Sequence, residues 1–88
     1  MPSRTIEVRN KRGLHARASA KFVTLASGLK ARVEVDKDGS KVCGTSIMGL
    51  MMLGAAMGDT ITISANGEGA EEAVQALSEL VEGKFGED

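Results

Sequence analysis

The 88-residue chain is 42% hydrophobic and 26% charged, apolar enough for one packed core, too short for two, and without the bias of a disordered or fibrous class. A chain of this size buries only about 60–65% of its unfolded surface, which excludes a deep enclosed active site and directs any chemistry to the surface. With no Trp, no Tyr and two Phe, base stacking on single-stranded nucleic acid is excluded, and the lone Cys43 cannot close an intrachain disulfide.

The formal net charge of −1 conceals a division. Residues 1–45 hold ten Lys or Arg against four Asp or Glu, whereas residues 46–88 hold one against eight. Arg9, Lys11, Arg12, Arg17 and Lys21 crowd around the only histidine, His15, with no acid between them. Such a field attracts a phosphorylated or acidic partner; a solvated basic face that compensates an acidic C-terminal helix is the other open reading. The N-terminus carries no apolar run that would make a signal peptide or membrane span, so the chain is expected to be cytoplasmic and to have no membrane partner.

In chain order, Ile6 and Val8 alternate with Thr5, Glu7 and Arg9 and predict a strand from about Arg4 to Arg9. Residues 10–13 break that period, and from Ala16 a helical stripe of Ala18, Phe22, Leu25 and Ala26 begins, with Gly28 expected as its left-handed cap. Ala31, Val33 and Val35, the turn chemistry of Lys37-Asp38-Gly39, and Val42-Cys43 predict a hairpin in which Cys43 is a small buried hydrophobe. Thr45 or Ser46 then caps a short helix from about Ile47 to Leu53, closed by Gly54. Ile47, Met48, Leu50, Met51, Met52 and Leu53 leave that helix almost no polar face, so Leu50 and Leu53 are assigned to the core and at least two of the others to the surface. Ile61, Ile63 and Ala65 predict the last strand, with Asn66-Gly67 as the turn out of it. Ala70, Ala73, Val74, Leu77, Leu80 and Val81 stripe a final helix that Gly83 stops, and residues from Phe85 onward are expected to fray. The result is one domain over residues 1–88 of the α+β class: an open-faced sandwich, β-α-β-β-α-β-α, with three helices on one face of a four-stranded antiparallel sheet.

His15 is the residue on which chemistry converges. A neutral imidazole is a good nucleophile toward phosphorus, and a carrier that takes and gives a phosphoryl group needs it exposed. The unpaired amides of Ala16, Arg17 and Ala18 in the first helical turn would bind the phosphoryl oxygens, and Arg17 adds a cation. Gly13 permits a close backbone approach before the site, and Leu14 anchors the loop to the core. A histidine before a helix is equally served by a capping role alone. One His and one Cys make no metal constellation, so neither a metal nor a cofactor is expected.

The run Gly13-Leu14-His15-Ala16-Arg17, followed further along by Ser46-Ile47-Met48-Gly49-Leu50-Met51 and Leu53-Gly54, closely resembles the HPr family, the histidine-containing phosphocarriers of the bacterial phosphoenolpyruvate:sugar phosphotransferase system. The likeness extends over nearly the whole chain. It implies the sheet order 1-4-2-3 and a cytoplasmic, monomeric, stoichiometric phosphocarrier rather than an enzyme. It further implies that His15 Nδ1 accepts phosphate from phosphorylated enzyme I and passes it to IIA-type proteins, with Arg17 steadying the group. Ile47, Met48 and Met51 would form the partner-docking patch, and Ser46 the regulatory site of an HPr kinase/phosphorylase. Ala18 departs from the family, which usually has Pro there, and leaves a nitrogen-related phosphorelay open beside sugar transport. Two rivals stand next to the carrier. One is a regulatory binding module that acts through the Met-rich helix and Ser46 phosphorylation, for which His15 is dispensable; the other is a small ferredoxin-like ligand-binding domain.

Overall fold

The computed structural model describes residues 1–87. Strand β1 (Ser3–Glu7) leads through a loop to helix α1 (Ala16–Ser27), then to β2 (Arg32–Lys37), β3 (Ser40–Cys43), α2 (Ile47–Met52), β4 (Thr60–Asn66) and α3 (Ala70–Glu82), with a single turn over Lys84–Gly86 at the end. The four strands form one antiparallel sheet in the order β1-β4-β2-β3, as expected.

The alternating pattern sets the register. Ile6 pairs with Ile61, Val35 with Ile63 and Val33 with Ala65, so one face of the sheet is apolar along its centre. On the other face Thr5 lies opposite Thr62, their hydroxyls 2.8 Å apart. The helices cover the apolar face: Phe22 of α1, Leu50 of α2 and Leu77 and Val81 of α3 are fully buried together with Ile63 and Val35. The β2-β3 hairpin closes through Asp38 (φ 52°) and Gly39 (φ 86°), positive at both central positions, which suits the right-handed twist of the flanking strands.

Four local expectations are corrected. Gly28 has φ −84° and is not left-handed; α1 ends in a tightened turn, with Gly28 N–H donating to Leu25 O and Leu29 N–H to Ala26 O, which uses the last carbonyls without a left-handed residue. Cys43 is exposed, not buried. β3 is an edge strand in which Val42 pairs with Val35 and Cys43 with Glu34, so alternation turns Val42 toward the core side and Cys43 away from it. β1 ends at Glu7, because Val8 leaves the ladder to exchange backbone hydrogen bonds with Asp59 O and Gly58 N, each 2.8 Å.

The fourth correction concerns the tail. Phe85 does not fray: it is 1% exposed and holds the Lys84–Gly86 turn, where Lys84, Phe85 and Gly86 all have positive φ (59°, 56° and 74°). Two non-glycine residues in that region cost about 1–2 kcal/mol each. Burial of the ring, worth roughly 1.5–3 kcal/mol, and the 2.7 Å hydrogen bond from Lys21 Nζ to Phe85 O offset that strain. Asp88, the last of the residues expected to fray, lies outside the described residues.

Candidate functional site

The site is built on the loop between β1 and α1. Asn10 is fully buried and donates through Nδ2 to Gly13 O at 2.8 Å, which curls the loop back on itself. Gly13 (φ 61°) passes so close to the segment after α2 that a Cβ there would lie 2.2 Å from Ala55 O. Leu14 is buried, and its N–H donates to Ala55 O at 2.9 Å. The residue next to it, His15, is therefore delivered to the start of α1 from a fixed base, with the loop anchored by Leu14 as the sequence suggested.

His15 is the N-cap of α1. Its backbone is extended (φ −76°, ψ −177°) and its Nδ1 accepts the amide hydrogen of Arg17 at 3.1 Å. An acceptor at Nδ1 must carry a lone pair, so the ring proton is on Nε2, where it meets Glu87 Oε2 at 2.9 Å. The other oxygen, Oε1, accepts from Asn10 Nδ2 at 3.2 Å. The carboxylate thus fixes the tautomer and the ring plane while the Arg17 amide faces the nitrogen that can act as nucleophile. The ring is less open than expected: its side chain retains 22% of its exposure, because Glu87, carried in by the Phe85 anchor, covers the Nε2 edge.

An open depression of about 340 Å³ surrounds this pair, lined by Lys11, Arg12, His15, Arg17 and Glu87. Three cations against one carboxylate make it electropositive. Desolvation beside the ring pushes the Glu87 carboxyl up, but the hydrogen bonds from Asn10 and His15 and the charges of His15 and Lys21 outweigh it, so its pKa is lowered. A carboxyl whose pKa is depressed on folding contributes stability above its unfolded titration range, near 4.3 for glutamate, and loses that contribution as the pH falls through the folded value. Glu87→Gln is therefore expected to melt below the parent protein at neutral pH, with the gap closing as the pH drops below 4. Paired melting curves between pH 2 and 7 measure this, and a gap independent of pH would rule out the charge as its origin.

Of the amide donors named from sequence, Ala16 and Arg17 are exposed. Ala18 is fully buried, and of the three only Arg17 lines the depression. Ser46 caps α2: its Oγ accepts from Gly49 N–H at 3.0 Å, whereas the Thr45 hydroxyl donates to Cys43 Sγ. Leu50 and Leu53 are buried, and Ile47, Met48 and Met51 are exposed, with Met48 retaining 68% of its surface. Met52 and Met57 are exposed as well and extend the apolar surface beyond the three residues first assigned to it. Asn10 and Glu87 escaped sequence reasoning altogether. The one available signal for Glu87 was Phe85, half of the chain's aromatic complement, placed just after the Gly83 stop. Asn10 Oδ1 is buried without a partner, while its amide nitrogen donates to Gly13 O and Glu87 Oε1. Among the described residues no group of three or more His, Cys, Asp or Glu is arranged to hold a metal ion, and no helix is long and apolar enough to cross a membrane.

An N-capping imidazole whose Nδ1 lone pair faces the Arg17 amide inside a basic depression, carried on a β1-β4-β2-β3 open-faced sandwich, defines a class of small α+β protein suited to holding an anion on a histidine. The family model described as "PTS HPr component phosphorylation site" matches residues 2–83. The chain is 52% identical over 87 residues to the phosphocarrier protein HPr of Neisseria meningitidis serogroup A, covering 99% of this chain and 98% of that protein. It is 40% identical over 84 residues to the phosphocarrier protein NPr of Shewanella violacea, covering 96% and 92%. The crystal structure of HPr from Thermoanaerobacter tengcongensis superposes with a TM-score of 0.95 at 49% identity, covering 100% of this chain and 99% of that one. The chain belongs to the HPr family, the phosphocarrier component of the phosphotransferase system.

Proposed function

We propose that the protein accepts a phosphoryl group on His15 Nδ1 from phosphorylated enzyme I and delivers it to IIA-type acceptors, acting as a monomeric stoichiometric carrier in the cytoplasm. The observation that carries this reading is the pairing of the two ring nitrogens: Nδ1 accepts from Arg17 N–H while Nε2 faces Glu87. In the transfer step the Nδ1 lone pair attacks phosphorus in line as the bond to the donor breaks. No proton has to leave the ring, because the proton is already on Nε2. The product is a phospho-imidazolium whose new positive charge faces the Glu87 carboxylate, and the Arg17 amide, released from Nδ1, becomes a donor to a phosphoryl oxygen together with the Ala16 amide and the Arg17 guanidinium. A protonated ring is also a better leaving group, so the same contact favours onward delivery.

Partner docking falls to the exposed face of α2, with Ile47, Met48 and Met51 at its centre; flexible, polarizable methionines fit more than one partner surface. Ser46 is the regulatory phosphosite in this reading. Its oxygen already faces the first turn of α2, so a phosphate there would place about two negative charges beside the docking face and repel an acidic partner.

The test is incubation of the full chain with phosphoenolpyruvate and enzyme I, followed by phosphorus and nitrogen NMR of the product. One acid-labile phosphate on the Nδ1 of His15 is expected. A label that is acid-stable, or that resides on Nε2 or on a serine, would overturn the proposal. Because only the neutral ring attacks, acceptance is also expected to fall in acid with the donor held constant.

A further inference from the structure

Five cations crowd the sequence around His15, and the carrier mechanism uses one of them. Lys21 is already engaged, its Nζ donating to Phe85 O. Lys11 and Arg12 line the depression itself, both are exposed, and among the described residues neither belongs to an ion pair. We propose that Arg12 is a second phosphoryl-binding guanidinium, closing with Arg17 on the group that His15 carries.

Charge decides that Arg17 alone is insufficient. A phosphoryl group brings about −1.5 to −2 at neutral pH. In the same depression the Glu87 carboxylate faces the positive ring of the phosphohistidine, so Arg17 alone leaves a single positive charge toward a dianion. Lys11 and Arg12 bring two further cations to the lining, and one of them beside Arg17 is enough to match the dianion. Of the two, Arg12 is the better placed by chemistry and by its base. A planar guanidinium offers paired donors to two phosphoryl oxygens and is weakly hydrated, whereas a lysine ammonium is a compact, strongly hydrated point charge. The backbone on both sides of Arg12 is fixed, by the Asn10 Nδ2 bond to Gly13 O and by the seating of Gly13 and Leu14 against Ala55. Its side chain therefore issues from a rigid platform into the depression that it lines together with His15.

The inference rests on the reading of His15 as the phosphoryl acceptor, and its test separates the two. The full chain and its Arg12→Ala, Arg12→Lys and Lys11→Ala variants are phosphorylated with phosphoramidate, a small donor that removes partner docking from the measurement. The second ionisation of the phosphohistidine is then followed by phosphorus NMR as a function of pH. Cations beside a phosphoryl group favour its dianion and lower that ionisation. Arg12→Ala is expected to raise it by roughly 0.2–0.7 pH unit, the size of one exposed charge pair. Arg12→Lys should recover only part of the shift, and Lys11→Ala should move it less than Arg12→Ala. If the parent protein takes no phosphate on His15, the carrier reading fails and the inference with it. If the parent is phosphorylated on His15 and Arg12→Ala titrates with it, Arg12 alone is excluded. Equal shifts for Arg12→Ala and Lys11→Ala, with full recovery in Arg12→Lys, would reduce the effect to a diffuse field and overturn the guanidinium contact.

Discussion

His15→Ala is expected to take up no acid-labile phosphate while remaining folded. The substitution removes the nucleophile and, with it, an N-cap whose loss costs about 1 kcal/mol. It also removes the partner of Glu87 Oε2, but the tail keeps its other anchors, the buried Phe85 ring and the Lys21 Nζ bond to Phe85 O. For a domain of this size the melting temperature should fall by roughly 4–8 °C, far short of unfolding at room temperature. Uptake, by contrast, should fall to the background of the assay, because no second histidine exists to take over. Radiolabel from phosphoenolpyruvate, counted before and after acid treatment, reads the first effect, and calorimetry the second. Retained acid-labile label in a folded variant would show that the acceptor lies elsewhere, and would revive the regulatory module in which His15 is dispensable.

Gly13→Ala should produce the largest loss of stability among substitutions that add a single methyl group to the site loop. Two separate penalties apply. Holding alanine at φ 61° costs about 1–2 kcal/mol. The methyl group would also start 2.2 Å from Ala55 O and 2.8 Å from Ala56 Cα, both backbone atoms, and overpacking of this kind typically costs about 1–3 kcal/mol. Together the loss is roughly 2–5 kcal/mol, and relief requires moving the His15 loop off the segment that follows α2. Gly39 supplies the control: its φ is 86°, yet nothing lies within 4 Å of an added Cβ, so Gly39→Ala carries the backbone penalty alone. Urea titrations of both variants should place Gly13→Ala clearly below Gly39→Ala, and phosphate acceptance should decline in the first only. Equal losses would mean that the close approach to Ala55 contributes nothing.

Much of this architecture is legible in the sequence because its signals are local. Ile6 and Val8, Val33 and Val35, and Ile61 and Ile63 each report a buried strand face through a period of two, and Phe22 and Ala26 report the buried stripe of α1 through a helical period. The sheet order came instead from the resemblance, since alternation within a strand does not name its neighbours. The exposure of Cys43 is hidden from the sequence for a related reason: in a four-residue edge strand the facing side is set by pairing with Glu34, which the run itself does not encode. The buried stripes also differ from the apolar spacing: Ser19 and Ser78 are fully buried, whereas Leu25 and Leu80 pack against the core only partly buried. Glu87 was the most consequential omission. Its contact with His15 spans 72 positions, and nothing in the local composition of an acidic tail distinguishes a carboxylate that touches the imidazole from one in water.

The hydrogen bond from Leu14 N–H to Ala55 O joins the turn before the imidazole to the stretch just beyond the methionine ridge, making grip and cargo parts of one rigid piece. Under the proposed function, a protein that seizes the ridge would find phosphorus at a preset offset and need no search of its own. In that reading recognition would diversify by exchange of side chains along the ridge while the reacting end stays untouched, so one small scaffold would serve several customers without retuning its chemistry for each.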